Sequence, residues 1–512
     1  MASPSEKLTD SLEVLHKLQK SGSVVIRSAD LSRTHRERLV KIGFLKKVLK
    51  GWYIPSRPDD IRDESTDWYT SFWQFCAAYL NYVKGDDWCL SPEQSIALHA
   101  GNRTVPRQLL VRSAKGRNNP TPLLHGTSLL DIRSNLPPNK NTTKINGLRV
   151  FSVPAALVAC GPRAFIQNPT DMRAVLSVIS DASEVLKLLL EGGHSKVAGR
   201  LAGAFRNIGR VQIADDIVAT MRRMGYDVRE SDPFGGEASI KFKKREQSPY
   251  VARIRLMWQE MRDAVIQSFP KPNFGPVDVD AYMQHVDDVY VTDAYHSLSI
   301  EGYRVTPELI ERVRSGDWNP EKNKGDREQM DALAARGYWQ AYQSVRSGIR
   351  QILSGENAGE ITENDHQTWY GEMFAPGVAS GIHRPADLAG YRNGPVYIRG
   401  SRHVPPSKEA VRDAMPAFFK LLSEEENAAV RVVLGHFVFV YIHPYMDGNG
   451  RIGRFLMNAM LASGGYPWTI VPLEKRNEYM AALEEAGTKQ NIEPFSRFLG
   501  GLVKAGTKPD AK

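Results

Sequence analysis

At 512 residues the chain is long enough for two to four domains with ample core, and 67 Lys and Arg against 58 Asp and Glu leave a net charge of +9. Three cysteines, Cys76, Cys89 and Cys160, are too few and too scattered for a disulfide framework or a zinc site, so reduced core thiols are expected. The first residues lack the basic-then-apolar order of a signal peptide, and no apolar run approaches the roughly 20 residues of a membrane span; the expectation is a cytoplasmic protein with no membrane partner.

The charge is unevenly placed. Residues 1–55 hold eleven Lys or Arg against five Asp or Glu. Leu12, Leu15 and Leu18 suggest a first helix, and Val24 to Ile26 a short extended piece. Asp30 to Gly43 reads as a helix ending at glycine, with Arg33, His35, Arg36 and Lys41 able to share its polar side. Phe44 to Ile54 follows as two strands turning at Lys50 and Gly51. That order is a winged-helix plan over residues 1–60, with a basic helix for a major groove and a basic wing, including Lys50, for phosphates. Residues 65–245 read as a mixed α/β region: short β-like pieces, then two helical stretches near 170–191 and 196–225. Lys241 to Arg245, with Ser248 and Pro249, suggest a linker. Residues 250–505 read as helical, and Lys504 to Lys512 as a frayed tail.

The last half holds the segments that bear on chemistry. Ser297 and Glu301 stand four apart, on one face of a helix that Gly302 can cap in the left-handed region. Thr306 and Pro307 open another helix as N-cap and first residue. Gly390-Tyr391-Arg392, with Val396, Ile398 and Gly400, reads as a short hairpin arm whose edge could pair with an extended segment. Ala429 to Ile442 is almost wholly apolar, and its pattern leaves helix or strand open.

Then comes His443-Pro444-Tyr445-Met446-Asp447-Gly448-Asn449-Gly450-Arg451-Ile452-Gly453-Arg454. Pro444 disfavours continued helix at His443, leaving the imidazole at the end of the apolar segment. Ile452, Phe455, Leu456, Ala459 and Met460 recur at helical spacing, so a helix starts near Arg451. Gly448 and Gly450 let the backbone approach an anion, and Asn449 tolerates unusual dihedrals. The helix start offers unpaired N–H groups. Arg451 and Arg454 share a face and can reach phosphate oxygens together. Asp447 is a hard oxygen ligand suited to Mg²⁺, and His443 can accept a hydroxyl proton near neutrality.

This stretch resembles the signature loop of Fic proteins, His-Pro-Phe-x-(Asp/Glu)-Gly-Asn-Gly-Arg-x-x-Arg, with Tyr445 where Phe is usual. The resemblance implies an all-helical domain over roughly 250–505 and transfer of AMP from ATP to a Ser, Thr or Tyr hydroxyl of a target protein or of the chain itself. It makes His443 the base and Asp447 the Mg²⁺ ligand. Gly448, Asn449 and Gly450, with Arg451 and Arg454, would hold the phosphates. Ser297, Glu301 and Gly302 resemble the inhibitory motif (Ser/Thr)-x-x-x-Glu-(Gly/Asn), which implies that Glu301 pairs with Arg454 and blocks the γ-phosphate. Tyr391, Arg392, Val396 and Ile398 look like the family's target-docking flap. Residues 1–60, with softer continuation to Leu157, resemble AbiEi-type antitoxins and regulators, which implies DNA as a partner. The expected whole is a multidomain, mainly α protein: winged helix, mixed α/β region, then a helical Fic domain with a β-hairpin flap. Some Fic relatives form dimers, so a homodimer is a further expectation. The competing readings are a DNA-binding regulator with the Fic half as a nucleotide-responsive switch, and an enzyme that removes AMP with Glu301 as base.

Overall fold

The computed structural model describes residues 3–20, 24–58, 65–236, 240–242, 244–272, 277–317 and 330–506. The chain divides into two compact units: 1–249 together with 397–404, and 250–396 together with 405–512. Among the described residues no helix is long and apolar enough to cross a membrane, and all three cysteines are buried and free.

The first unit begins with α1 (Pro4–Lys20), β1 (Ile26–Arg27), α2 (Arg33–Ile42), β2 (Leu45–Leu49) and β3 (Trp52–Pro55). The strands form an antiparallel sheet in the order β1-β3-β2. Leu15, Ile26, Leu31, Leu39 and Leu45 close a small core beneath it. Gly43 ends α2 in the left-handed region at φ 92°, and Gly51 turns the β2–β3 hairpin at φ 82°. Next comes α3 (Thr66–Lys84), then β4 (Cys89–Leu90) and α4 (Pro92–His99). Strands β5 (Gln108–Ser113), β6 (Pro120–Pro122) and β7 (Ser128–Arg133) join β4 in a sheet ordered β4-β5-β7-β6, and β8 (Thr142–Ile145) pairs with β9 (Leu148–Phe151).

Six helices follow, α5 (Val153–Ala159), α6 (Pro162–Gln167), α7 (Pro169–Val178), α8 (Ser183–Glu191), α9 (Ser195–Asn207) and α10 (Val211–Arg223). The two expected stretches near 170–225 are therefore four helices, because Ile179 turns to extended backbone and Gly209 takes φ 82°. The expected linker is held against this unit: Phe242 N–H donates to the Ile208 carbonyl and Arg245 Nε to the Val178 carbonyl. Lys243 lies outside the described residues.

The second unit is helical. Its elements are α11 (Pro249–Ser268), α12 (Val279–Ile300), α13 (Pro307–Ser315), α14 (Met330–Leu353), α15 (Ala358–Ala379), α16 (Lys408–Glu424), α17 (Ala428–Ile442), α18 (Asn449–Ser463), α19 (Arg476–Lys489) and α20 (Glu493–Gly506). Thr306 caps α13, its hydroxyl accepting from Leu309 N–H. Helix α20 runs through Lys504, because Phe498, Leu499, Leu502 and Val503 bury one face; only residues beyond 506 of the expected tail lie outside the described range. The apolar segment whose pattern left helix or strand open is α17. It is packed on every side, so no face shows a polar period.

No strand forms at 396–400, contrary to the hairpin expected there. Within the first unit, the Val105 N–H donates to the Arg402 carbonyl, the Gly400 N–H to Thr66 Oγ1, and Val404 enters the apolar core. These contacts replace the cross-strand ladder.

Candidate active site

The site is built on the α17–α18 turn. His443 caps α17 in the left-handed region, φ 54° and ψ 62°, which turns the chain at Pro444. Its Nδ1 lies 3.0 Å from the Val440 carbonyl. A carbonyl only accepts, so the proton sits on Nδ1 and Nε2 keeps its lone pair. Burial lowers the imidazole pKa to about 4, so the ring is neutral at pH 7.

Side chains staple the turn. Asn449 Oδ1 accepts from Tyr445 N–H at 2.9 Å, and Asn449 Nδ2 donates to the Tyr445 carbonyl at 2.9 Å. Asn449 is thus used for its amide and lies in the first turn of α18, in place of the unusual dihedral expected of it. Tyr445 is fully buried and stacks on Tyr370 with centroids 3.9 Å apart. Arg392 braces the turn from outside: its Nε donates to the His443 carbonyl at 2.7 Å, and further donors reach Gly394 and Pro406 carbonyls. It is buried, so among the flap residues it supports the loop instead of facing a docked target. Tyr391 Oη meets His366 Nε2 at 3.1 Å. Val396 is buried and Ile398 half-buried.

The start of α18 is an anion-receptive end. Gly448 precedes it at φ 78°, and a Cβ there would lie 2.9 Å from the Phe374 ring, so only glycine fits. Asp447 is open to solvent, with Oδ1 accepting from Gly448 N–H at 2.6 Å and lying 3.5 Å from Arg451 Nη2. One exposed carboxylate beside a phosphate-receptive backbone fits Mg²⁺, which takes few protein ligands and shares the rest with phosphate and water.

Glu301 sits on that same end. Helix α12 delivers Ser297 and Glu301 from one face, and Gly302 at φ 96° turns the chain away. Arg454 Nε donates to Ser297 Oγ at 2.8 Å, and its Nη2 reaches the Ser297 carbonyl at 2.9 Å and Glu301 Oε1 at 2.8 Å. A Cβ on Gly450 would lie 2.3 Å from Glu301 Oε1, so the carboxylate rests directly on the backbone of the helix start. Burial alone would raise the Glu301 pKa; Arg454, then Arg451, outweigh it and leave the carboxyl below its ordinary range.

Sequence reasoning missed Tyr303 and Phe374, whose rings face Arg451; only long-range packing brings them there. In the first unit the basic residues do not share one face. Arg33 pairs with Glu37 at 2.7 Å, His35 Nδ1 meets Ser11 Oγ at 2.9 Å, and Arg36 donates to the Ser28 carbonyl. Lys41 and Lys50 are exposed. Helical periodicity sends 33, 37 and 41 outward together and turns 35 and 36 toward the protein.

Among comparisons with known proteins, residues 361–461 match the Fic/DOC family. "Protein adenylyltransferase Fic" of Nematostella vectensis is 28% identical over 251 residues, 48% of this chain and 55% of that protein. The protein of the same name from Drosophila yakuba is 38% identical over 233 residues, 44% of this chain and 41% of that protein. The chain thus spans about half the length of these curated relatives, 41–55%. Among solved structures, a fragment of C. elegans Fic-1 aligns over 69% of this chain and 93% of its own at 18% identity, with a TM-score of 0.37.

Proposed function

We propose that the chain is a protein AMP-transferase held at rest by its own Glu301, moving AMP from ATP to a Ser, Thr or Tyr hydroxyl of a target protein or of itself. The observation that carries this reading is the shared helix start: neutral His443, exposed Asp447 and the backbone of Gly448 to Gly450 surround one anion-receptive end, and the Glu301 carboxylate lies on it. In the reaction the acceptor oxygen bonds to the α-phosphorus while the bond from that phosphorus to the bridging oxygen breaks. Pyrophosphate leaves, and the hydroxyl proton passes to His443 Nε2. Arg451, and Arg454 once freed, would take phosphate oxygens. Asp447 would hold Mg²⁺, which when bound offsets phosphate charge.

The test is incubation of wild type and Glu301→Gly with Mg²⁺ and ATP labelled at the α-phosphate, followed by a search for labelled protein in a lysate and on the chain itself. Label from Glu301→Gly supports the reading. Its absence with every nucleotide tried moves the assignment to AMP removal, with Glu301 orienting water. A pH profile adds a second check. Because burial holds His443 at about 4, and loss of Glu301 removes an influence that raises it, transfer by Glu301→Gly stays level from neutrality down to about pH 5. An acid limb centred near the ordinary histidine value would mean that burial does not lower His443 in the working enzyme.

A second reading, DNA binding by a winged helix at 1–60, draws on two exposed amines, Lys41 in the last turn of α2 and Lys50 at the β2–β3 turn. If those amines meet phosphates, Lys41→Ala/Lys50→Ala weakens a gel shift and flattens its salt slope by about two ions. An unchanged slope removes DNA from the account.

A further inference from the structure

We infer that Tyr303 is a positioning residue for the nucleotide, resting on the transferase reading above: with Phe374 it holds the Arg451 guanidinium against aromatic faces and keeps its N–H edge available to a phosphate. The two arginines of α18 are held in opposite ways. The Arg454 donors are taken up by Ser297 and Glu301. Arg451 is only 1% exposed, yet its nearest acid is the solvent-facing Asp447 at 3.5 Å, a long pair for a buried cation. Its Nε is buried with no hydrogen-bond partner among the described residues.

Beside the long pair with Asp447 and the field of the Glu301 carboxylate, the charge is met by π density. The guanidinium carbon lies 5.2 Å from the Tyr303 centroid and 5.1 Å from that of Phe374. A carboxylate would stabilise the cation by consuming its donors; ring faces stabilise it and leave the donors to a ligand. The clamp also fixes the guanidinium plane, so less side-chain entropy is lost when an anion arrives. Both rings are placed by features already required. Gly302 turns the chain immediately before Tyr303, and Phe374 projects from α15 against Gly448, where a Cβ would touch it at 2.9 Å.

The experiment measures binding of Mg²⁺ and ATP by calorimetry in the full chain carrying Glu301→Gly/His443→Ala, so that the site is open and turnover stops. Tyr303→Leu and Tyr303→Met, which keep bulk without a ring, weaken binding about tenfold, and Tyr303→Phe stays within about twofold of the parent. In the Glu301→Gly enzyme the same change raises KM for ATP and leaves kcat in place. Parent-like binding by both aliphatic variants overturns the clamp, and so does Tyr303→Phe binding as weakly as they do. A parent that binds no ATP overturns the transferase reading itself. Thermal melting of each variant against the parent separates a lost clamp from a lost fold.

Discussion

In a Glu301→Gly background, His443→Ala is expected to lower AMP transfer by about 10²–10⁴-fold, the usual yield of a positioned base, while ATP still binds. The geometry separates the two readouts. The imidazole stands at the end of α17 with Nδ1 committed to the Val440 carbonyl. The groups proposed to hold phosphate belong to α18 and the residue before it. Truncating the ring leaves Asn449 and Arg392 bracing the turn through backbone atoms, so the phosphate cradle keeps its shape. Single-turnover labelling and ATP calorimetry on the same preparation check both halves. Loss of ATP affinity in step with rate would mean that the turn had collapsed. Unchanged transfer would remove His443 from the chemistry.

Glu301→Gly alone is expected to raise transfer about 10–100-fold over wild type, the ordinary size of a coupling between sites. Its carboxylate removes one Arg454 donor and stands on Gly450, so under the proposed function wild type would have to displace it before a phosphate could bind there. The brake should also survive mild acid. A carboxyl held below its ordinary range keeps the stability of its ion pair above that range and loses it only as pH falls through the lowered value. The ratio of mutant to wild-type rate, measured from pH 8 to about pH 5, should therefore hold constant. A ratio that closes on itself by pH 6 would put the control in another group, and equal rates at all pH values would dispose of autoinhibition while leaving the enzyme.

The parts of the site that were legible in the sequence are those whose chemistry is local. From His443 to Arg454 every group sits within one turn and the helix it opens, so residue types and spacing suffice to bring them together. Ser297 and Glu301 were readable as one helix face for the same reason. Their meeting with Arg454 lies across the fold, and only the family resemblance anticipated it. Tyr303 looked like any residue after a glycine cap, because what matters about it is the cation that packing sets beneath its ring. Helix α17 could not be told from a strand, since burial of nearly every residue erases the polar half of its period. The alternation around Val396 and Ile398 suggested a hairpin, but their segment's hydrogen bonds go to Thr66 and Val105. His35 and Arg36 counted as surface charge until the helix phase turned them inward.

The contact between the Glu301 oxygen and Gly450 carries a consequence for how such a chain would respond in a cell. Inhibitor and nucleotide would compete for the same volume, so inhibition would be a contest between a tethered anion at fixed local concentration and a diffusing one at variable concentration. Such a contest has no threshold of its own. The active fraction would rise smoothly with free nucleotide, and any partner that shortened or lengthened the reach of the tether would rescale that dependence without entering the pocket.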